Sequence, residues 1–100
     1  MYAEVAASET PASKLQGRRA IIISGGPSSV YDAGSPTVDP AIFGMGAAVL
    51  GICYGEQLMA RLLGGTVQKG ERGEYGFAHL DIKNNGKLLD GIHGKQQVWM

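Results

Sequence analysis

The hundred residues contain a single cysteine, so no internal disulfide can form, a pattern that fits a reducing compartment and leaves Cys53 open to chemical use. A lone cysteine is also commonly inert packing, and only its neighbours can decide between the two. Charge of either sign is not in excess, because nine Lys and Arg balance nine Asp and Glu. No net field therefore draws the chain onto nucleic acid or an anionic membrane. No apolar run is long enough to span a bilayer, and the N-terminus lacks a basic stretch followed by an apolar core. These absences lead to the expectation of a soluble, cytoplasmic protein with neither a nucleic-acid nor a membrane partner. The length excludes a large two-domain enzyme and suits one compact domain over residues 1–100.

What is abundant is glycine, 16 residues in 100, about twice the ordinary usage of ~7%. The glycines show no triplet period and lie between apolar runs, which rules out collagen-like and linker readings. Tyr2 to Val5 reads as a short strand, and Pro11 marks a loop or a weak helix start in the polar stretch Ser8 to Gln16. Ala20-Ile21-Ile22-Ile23 is a continuous apolar run closed by Ser24-Gly25-Gly26-Pro27, the pattern of a strand buried on both faces and running into a tight loop. Ser28 to Asp39 is an irregular surface segment by composition. Asp39 caps a short helix with Pro40 in its first turn, ending near Gly44 or Gly46.

A second apolar run, Ala47 to Cys53, repeats the strand signal. Beyond it Leu58, Met59, Leu62 and Leu63 fall at helical spacing until Gly64-Gly65. Thr66 to Lys69, Tyr75 to Ile82 and Gln96 to Met100 read as shorter strands joined by turns such as Asn84-Asn85-Gly86. The pattern predicts an α/β fold, an open and mostly parallel sheet with flanking helices and room for an antiparallel extension in the last third. Ligands in such sheets bind beyond the carboxyl ends of the strands. Both Ser24 to Ser28 and Cys53 to Gly55 occupy that edge.

Gly51-Ile52-Cys53-Tyr54-Gly55 has the pattern of a nucleophile elbow, glycines flanking a nucleophile on a sharp strand-to-helix turn. Side chains at Gly51 or Gly55 would collide with the neighbouring strand or the helix, so small residues there let Cys53 project into a site. The helix N-terminus it faces carries partial positive charge, which favours a thiolate. A packed cysteine in a Gly-rich turn is the bland alternative. Ser24-Gly25-Gly26-Pro27 could cradle a phosphate, but no Gly-Lys-Ser/Thr follows and no G-x-G-x-x-G opens a helix. An oxyanion hole fits better, with one N–H from the Gly26 region and one from Tyr54. An ordinary tight turn is the alternative there.

The run Ile23-Ser24-Gly25-Gly26-Pro27-Ser28-Ser29-Val30-Tyr31-Asp32, then Asp39-Pro40-Ala41-Ile42-Phe43, then Leu50-Gly51-Ile52-Cys53-Tyr54-Gly55 with Gln57-Leu58-Met59 and Leu63-Gly64-Gly65, closely resembles the class I glutamine amidotransferases. The Ser-Ser-Val-Tyr-Asp continuation and Cys-Tyr-Gly point to the GMP synthase branch. Glu74-Tyr75-Gly76 and Val98-Trp99-Met100 extend the resemblance, and Tyr2-Ala3-Glu4-Val5 looks like the family's second strand.

The resemblance implies a flavodoxin-like amidotransferase fold and a Cys-His-Glu glutaminase. Such a glutaminase passes ammonia to an ATP-pyrophosphatase (synthetase) domain, where adenylylated XMP becomes GMP. Carried onto this sequence, Cys53 is the nucleophile, Gly26 and Tyr54 supply oxyanion N–H groups, Gln57 helps hold glutamine, and Gly25, Gly51 and Gly55 shape the site. No metal or cofactor is assigned to this chain; ATP and Mg belong to the synthetase domain.

Against the family pattern, Glu56 stands where an apolar Met is usual, and its carboxylate is expected to face solvent. The opening strand with its Asp-Phe-Gly segment is missing, and the chain ends before the His-Pro-Glu motif. The expectation is therefore a domain truncated at both ends, without glutaminase activity of its own and with sheet edges through which it could form a homodimer. His79 and His93 lie outside the catalytic motif and read as surface or structural residues. The competing readings are a catalytically silent binding or regulatory module and another class I amidotransferase of a different pathway.

Overall fold

The β-branched run Ala20–Ile23 forms strand β1 and Ala48–Gly51 forms β2, and the two pair in parallel with Ala20 opposite Ala48 and Ile23 opposite Gly51. The computed structural model describes residues 1–70, 73 and 75–100; Glu74 of the sequence motif lies outside them. They form two units, Met1–Gln68 and Lys69–Met100.

In the first unit, side chains alternate across the parallel pair. Ile21 and Ile23 join the core, whereas Ile22 points away and is 62% exposed. The expectation of a strand buried on both faces is corrected here. With only two strands, helix α1 (Tyr54–Leu62) packs on the sheet, and no described element covers Ile22.

Helix α1 follows from Tyr54, Leu58 and Leu62 at spacings of four, which gives one apolar stripe facing the core. It ends in a left-handed turn at Gly64 (φ 84°), where Gly64 N–H donates to the Arg61 carbonyl at 3.2 Å and Gly65 N–H to that of Ala60 at 2.7 Å. Burial of Leu58 contributes roughly 1.5–3 kcal/mol. Two 3₁₀ turns, Ala12–Leu15 and Pro40–Gly44, close the core with Ala12 and Ile42. The Asp39 carboxylate ties them together, accepting from Ala12 N at 2.9 Å and from Ala41 N at 3.0 Å. These two bonds, that to Ala12 foremost, hold the Asp39 carboxyl below its ordinary value.

In the second unit, β3 (Phe77–Asp81) pairs antiparallel with β4 (Lys95–Trp99), Phe77 opposite Trp99 and Asp81 opposite Lys95. Asn85 organises the connection, its amide donating to the Ile92 carbonyl at 2.6 Å and lying 3.1 Å from His93 Nδ1. The expected antiparallel strands of the last third are thus present, but as a two-stranded sheet of their own and not as an extension of the β1–β2 ladder. Two other expected strands are not. Tyr2 to Val5 is exposed, Val5 fully so, and neither it nor Thr66 to Lys69 pairs into any described ladder. Both segments have strand composition, but a strand needs a neighbour to take its backbone N–H and C=O groups.

Candidate active site

The site begins with backbone geometry at the end of β2. Ile52 N–H donates to the Ile23 carbonyl at 2.9 Å, extending the parallel ladder by one residue, and the chain then reverses at Cys53 into α1. Cys53 is the one described non-glycine residue with positive φ, at φ 50° and ψ −111°. Such a conformation costs on the order of 1–3 kcal/mol and persists only where the surroundings enforce it.

Those surroundings are glycines. A Cβ on Gly55 would sit 2.0 Å from the Ile23 carbonyl oxygen, and one on Gly51 would sit 2.6 Å from the Glu56 nitrogen. Neither position can carry a side chain unless helix and strand separate. The first turn of α1 is bonded directly below, Gly55 N–H to the Ile52 carbonyl at 2.9 Å and Glu56 and Gln57 N–H to that of Cys53 at 3.1 and 3.2 Å. Tyr54, as the first helical residue, has no acceptor four residues back within the helix for its own N–H.

The parallel register brings the loop after Ile23 to the same edge as Cys53. Gly25 is the residue that meets the cysteine. A Cβ there would lie 3.2 Å from Cys53 Cβ and 3.8 Å from Sγ. Gly26, by contrast, has open space where a Cβ would be. Cys53 is exposed, and so are Glu56 and Gln57, the residues one turn further along α1. The Glu56 side chain stands at the solvent-facing surface, as its polarity suggests.

The histidines belong to the second unit. His79 is exposed on β3 with its ring edge-on to Phe77, centroids 5.0 Å apart, and His93 sits in the turn network with Asn85. Among the described residues, no three His, Cys, Asp or Glu side chains gather to hold a metal ion, and no helix is long and apolar enough to cross a membrane.

The sequence reading missed a strap over α1. Val30 looked like part of an irregular surface segment but is 2% exposed and in the core. The Tyr54 hydroxyl donates to the Pro36 carbonyl and the Arg61 guanidinium to the Val30 carbonyl. A signal was there to be read, since Tyr54, Leu58 and Arg61 stand at i, i+4 and i+7 on one helix face. Cavities of ≈370 Å³ flank Arg61, one of them lined by Pro36, Tyr54 and Leu58.

Compared with known proteins, residues 1–100 match the family model of glutamine amidotransferase class-I. The chain is 48% identical over its whole length to a protein of Parafrankia sp. named GMP synthase [glutamine-hydrolyzing]. It is 46% identical over its whole length to the protein of that name from Pyrobaculum aerophilum. To that of Lactobacillus delbrueckii subsp. bulgaricus it is 53% identical over 82% of the chain. It spans 19%, 20% and 16% of their respective lengths.

Proposed function

Because the chain belongs to the glutamine amidotransferase class-I family, we propose that it is the glutaminase portion of a glutamine-hydrolysing GMP synthase, part of one amidotransferase domain of flavodoxin-like fold. The observation that carries this reading is the enforced conformation of Cys53, at φ 50° between two glycines whose Cβ positions are occupied by the strand and helix backbone. Strain kept at a residue bearing a nucleophilic atom supports a chemical role over a packing one.

In the proposed reaction the Cys53 sulfur attacks the side-chain carbonyl carbon of glutamine, and the C=O electron pair moves onto oxygen. The N–H groups of Tyr54 and the Gly26 region stabilise that oxyanion. Collapse of the intermediate expels ammonia, whose extra proton is the one taken from the thiol, and leaves a glutamyl thioester that water hydrolyses to glutamate. Gln57 helps hold the substrate, and Gly25 keeps the approach to sulfur clear. The base and its orienting carboxylate, a His-Glu pair in the family, are supplied from outside the hundred residues. Ammonia passes to an ATP-pyrophosphatase domain of the same cytoplasmic enzyme, where ATP and Mg serve the conversion of XMP to GMP; no step of this chain runs through either.

The test is amination of XMP by the full-length gene product with glutamine or with ammonium as nitrogen source. Cys53→Ala should lose the glutamine-dependent reaction by roughly three orders of magnitude or more, as removal of a nucleophile does, while ammonium-dependent amination is retained. Glutamine hydrolysis without XMP amination would point to another amidotransferase. Persistence of glutamine use in Cys53→Ala would refute the assignment.

A further inference from the structure

The peptide between Cys53 and Tyr54 is the one whose N–H the proposed function aims at the oxyanion, and its direction is set by ψ of Cys53, −111°. That angle is held from one side by the glycine contacts with β1. On the other side lies Tyr54 itself, 7% exposed, with its ring in the core and its hydroxyl bonded to the Pro36 carbonyl. The segment carrying Pro36 is tied again at Val30 by Arg61, two helical turns along the same face. Between the ties it is stiffened by its own bonds. Ser35 Oγ lies 2.5 and 2.6 Å from the Ser29 and Asp32 carbonyl oxygens, which share its one proton, and the Asp32 carboxylate accepts from Ser29 N at 3.2 Å.

We propose that the Tyr54 hydroxyl is a positioning group for the oxyanion hole, fixing the direction of its own backbone N–H by anchoring the first turn of α1 to the Val30–Pro36 strap. The inference rests on the glutaminase reading above. It assigns the phenol a role through the backbone, not through contact with substrate.

A pair of electrophiles separates this role from a merely structural one. A chloroketone analogue of glutamine passes through a tetrahedral oxyanion when Cys53 sulfur adds to its carbonyl; sulfur then bonds the adjacent carbon as chloride leaves with the C–Cl electron pair, and the S–C bond to the carbonyl carbon breaks as C=O re-forms. Iodoacetamide alkylates the same sulfur by displacement of iodide, with no oxyanion. In the full-length gene product, Tyr54→Phe should lower the ratio of chloroketone to iodoacetamide rates about 10-fold, a part of the 10²–10³ attached to losing an oxyanion donor outright. Arg61→Met, which unties the far end of the strap and leaves the phenol in place, should lower the same ratio by a smaller factor.

A ratio unchanged in both variants, with glutamine still protecting the parent Cys53 from the chloroketone, overturns the positioning role alone. If glutamine gives the parent no protection, the glutaminase reading fails and the positioning role falls with it. Should Tyr54→Phe fail to fold, an unchanged ratio in Arg61→Met is itself enough to overturn the proposal.

Discussion

The two units of the chain are ordered by different means. In Met1–Gln68 six hydrophobic residues are buried, Ala12, Ile23, Val30, Ile42, Tyr54 and Leu58, and at Gly51 and Gly55, on either side of Cys53, the backbone leaves no room for a single added carbon. In Lys69–Met100 none of the described residues is buried. Order there comes from an antiparallel ladder and the Asn85 amide, while Tyr75, Leu88 and Trp99 are 92%, 72% and 80% exposed. Hydrogen bonding alone suffices to define a strand pair, but only close packing holds a residue in a conformation as costly as that of Cys53.

The sharpest way to break this contrast is Gly55→Val. Its Cβ would fall 2.0 Å from the Ile23 carbonyl oxygen, so α1 must lift off β1. A loss of about 3 kcal/mol, the upper end for ordinary overpacking, is expected, together with loss of Cys53 reactivity. Amide exchange should speed up across the first unit and leave β3 and β4 unchanged. Next is Ile42→Ala, which empties a site 2% exposed and should destabilise the first unit by about 2–3 kcal/mol in denaturant unfolding.

Asp39→Ala should have a smaller effect, and one that depends on pH. The folded carboxyl is held below its ordinary value near 3.8 by the Ala12 and Ala41 N–H groups. A depressed value means that the stabilisation is complete above about pH 3.8 and is lost as pH falls through the lower folded value. The Tm gap between Asp39→Ala and the parent should be constant near neutrality and close on acidification below that point. The smallest effect belongs to Trp99→Ser in the second unit. The indole is 80% exposed opposite Phe77, so the change should stay within about 0.5–1 kcal/mol, the size of a cross-strand pair.

Much of the first unit is legible in the sequence because its signals are local. Asp39-Pro40 predicts a capped turn from one side chain and one ring, and the Asp39 to Ala41 bond is there at 3.0 Å. The stripe of Leu58 and Leu62 followed by Gly64-Gly65 predicts α1 and its stop. The steric need for glycine at 51 and 55 also follows from the elbow pattern alone, and the close contacts of both positions agree with it.

What could not be read depended on partners distant in sequence. Tyr2 to Val5 has strand-forming residues but no paired neighbour, and Ile22 has the composition of a buried residue but nothing over it. Val30 sits in a polar stretch, and its burial is decided by Arg61 and Tyr54, 31 and 24 positions away, holding the strap down. Of the site, what the structure adds is the closeness of Gly25 to the cysteine, a Cβ there lying 3.2 Å from Cys53 Cβ, a contact between two loops that lie 28 positions apart in the sequence.

If the strained elbow of the first unit presents Cys53 as the nucleophile toward glutamine, as proposed, the reaction passes through a glutamyl thioester on that sulfur. Hydroxylamine added to the full-length gene product with glutamine tests it most directly, because it intercepts a glutamyl thioester as γ-glutamyl hydroxamate. Hydroxamate is expected from the parent, and none above background from Cys53→Ala. Hydroxamate or ammonia produced from glutamine at parental rates by Cys53→Ala would contradict it.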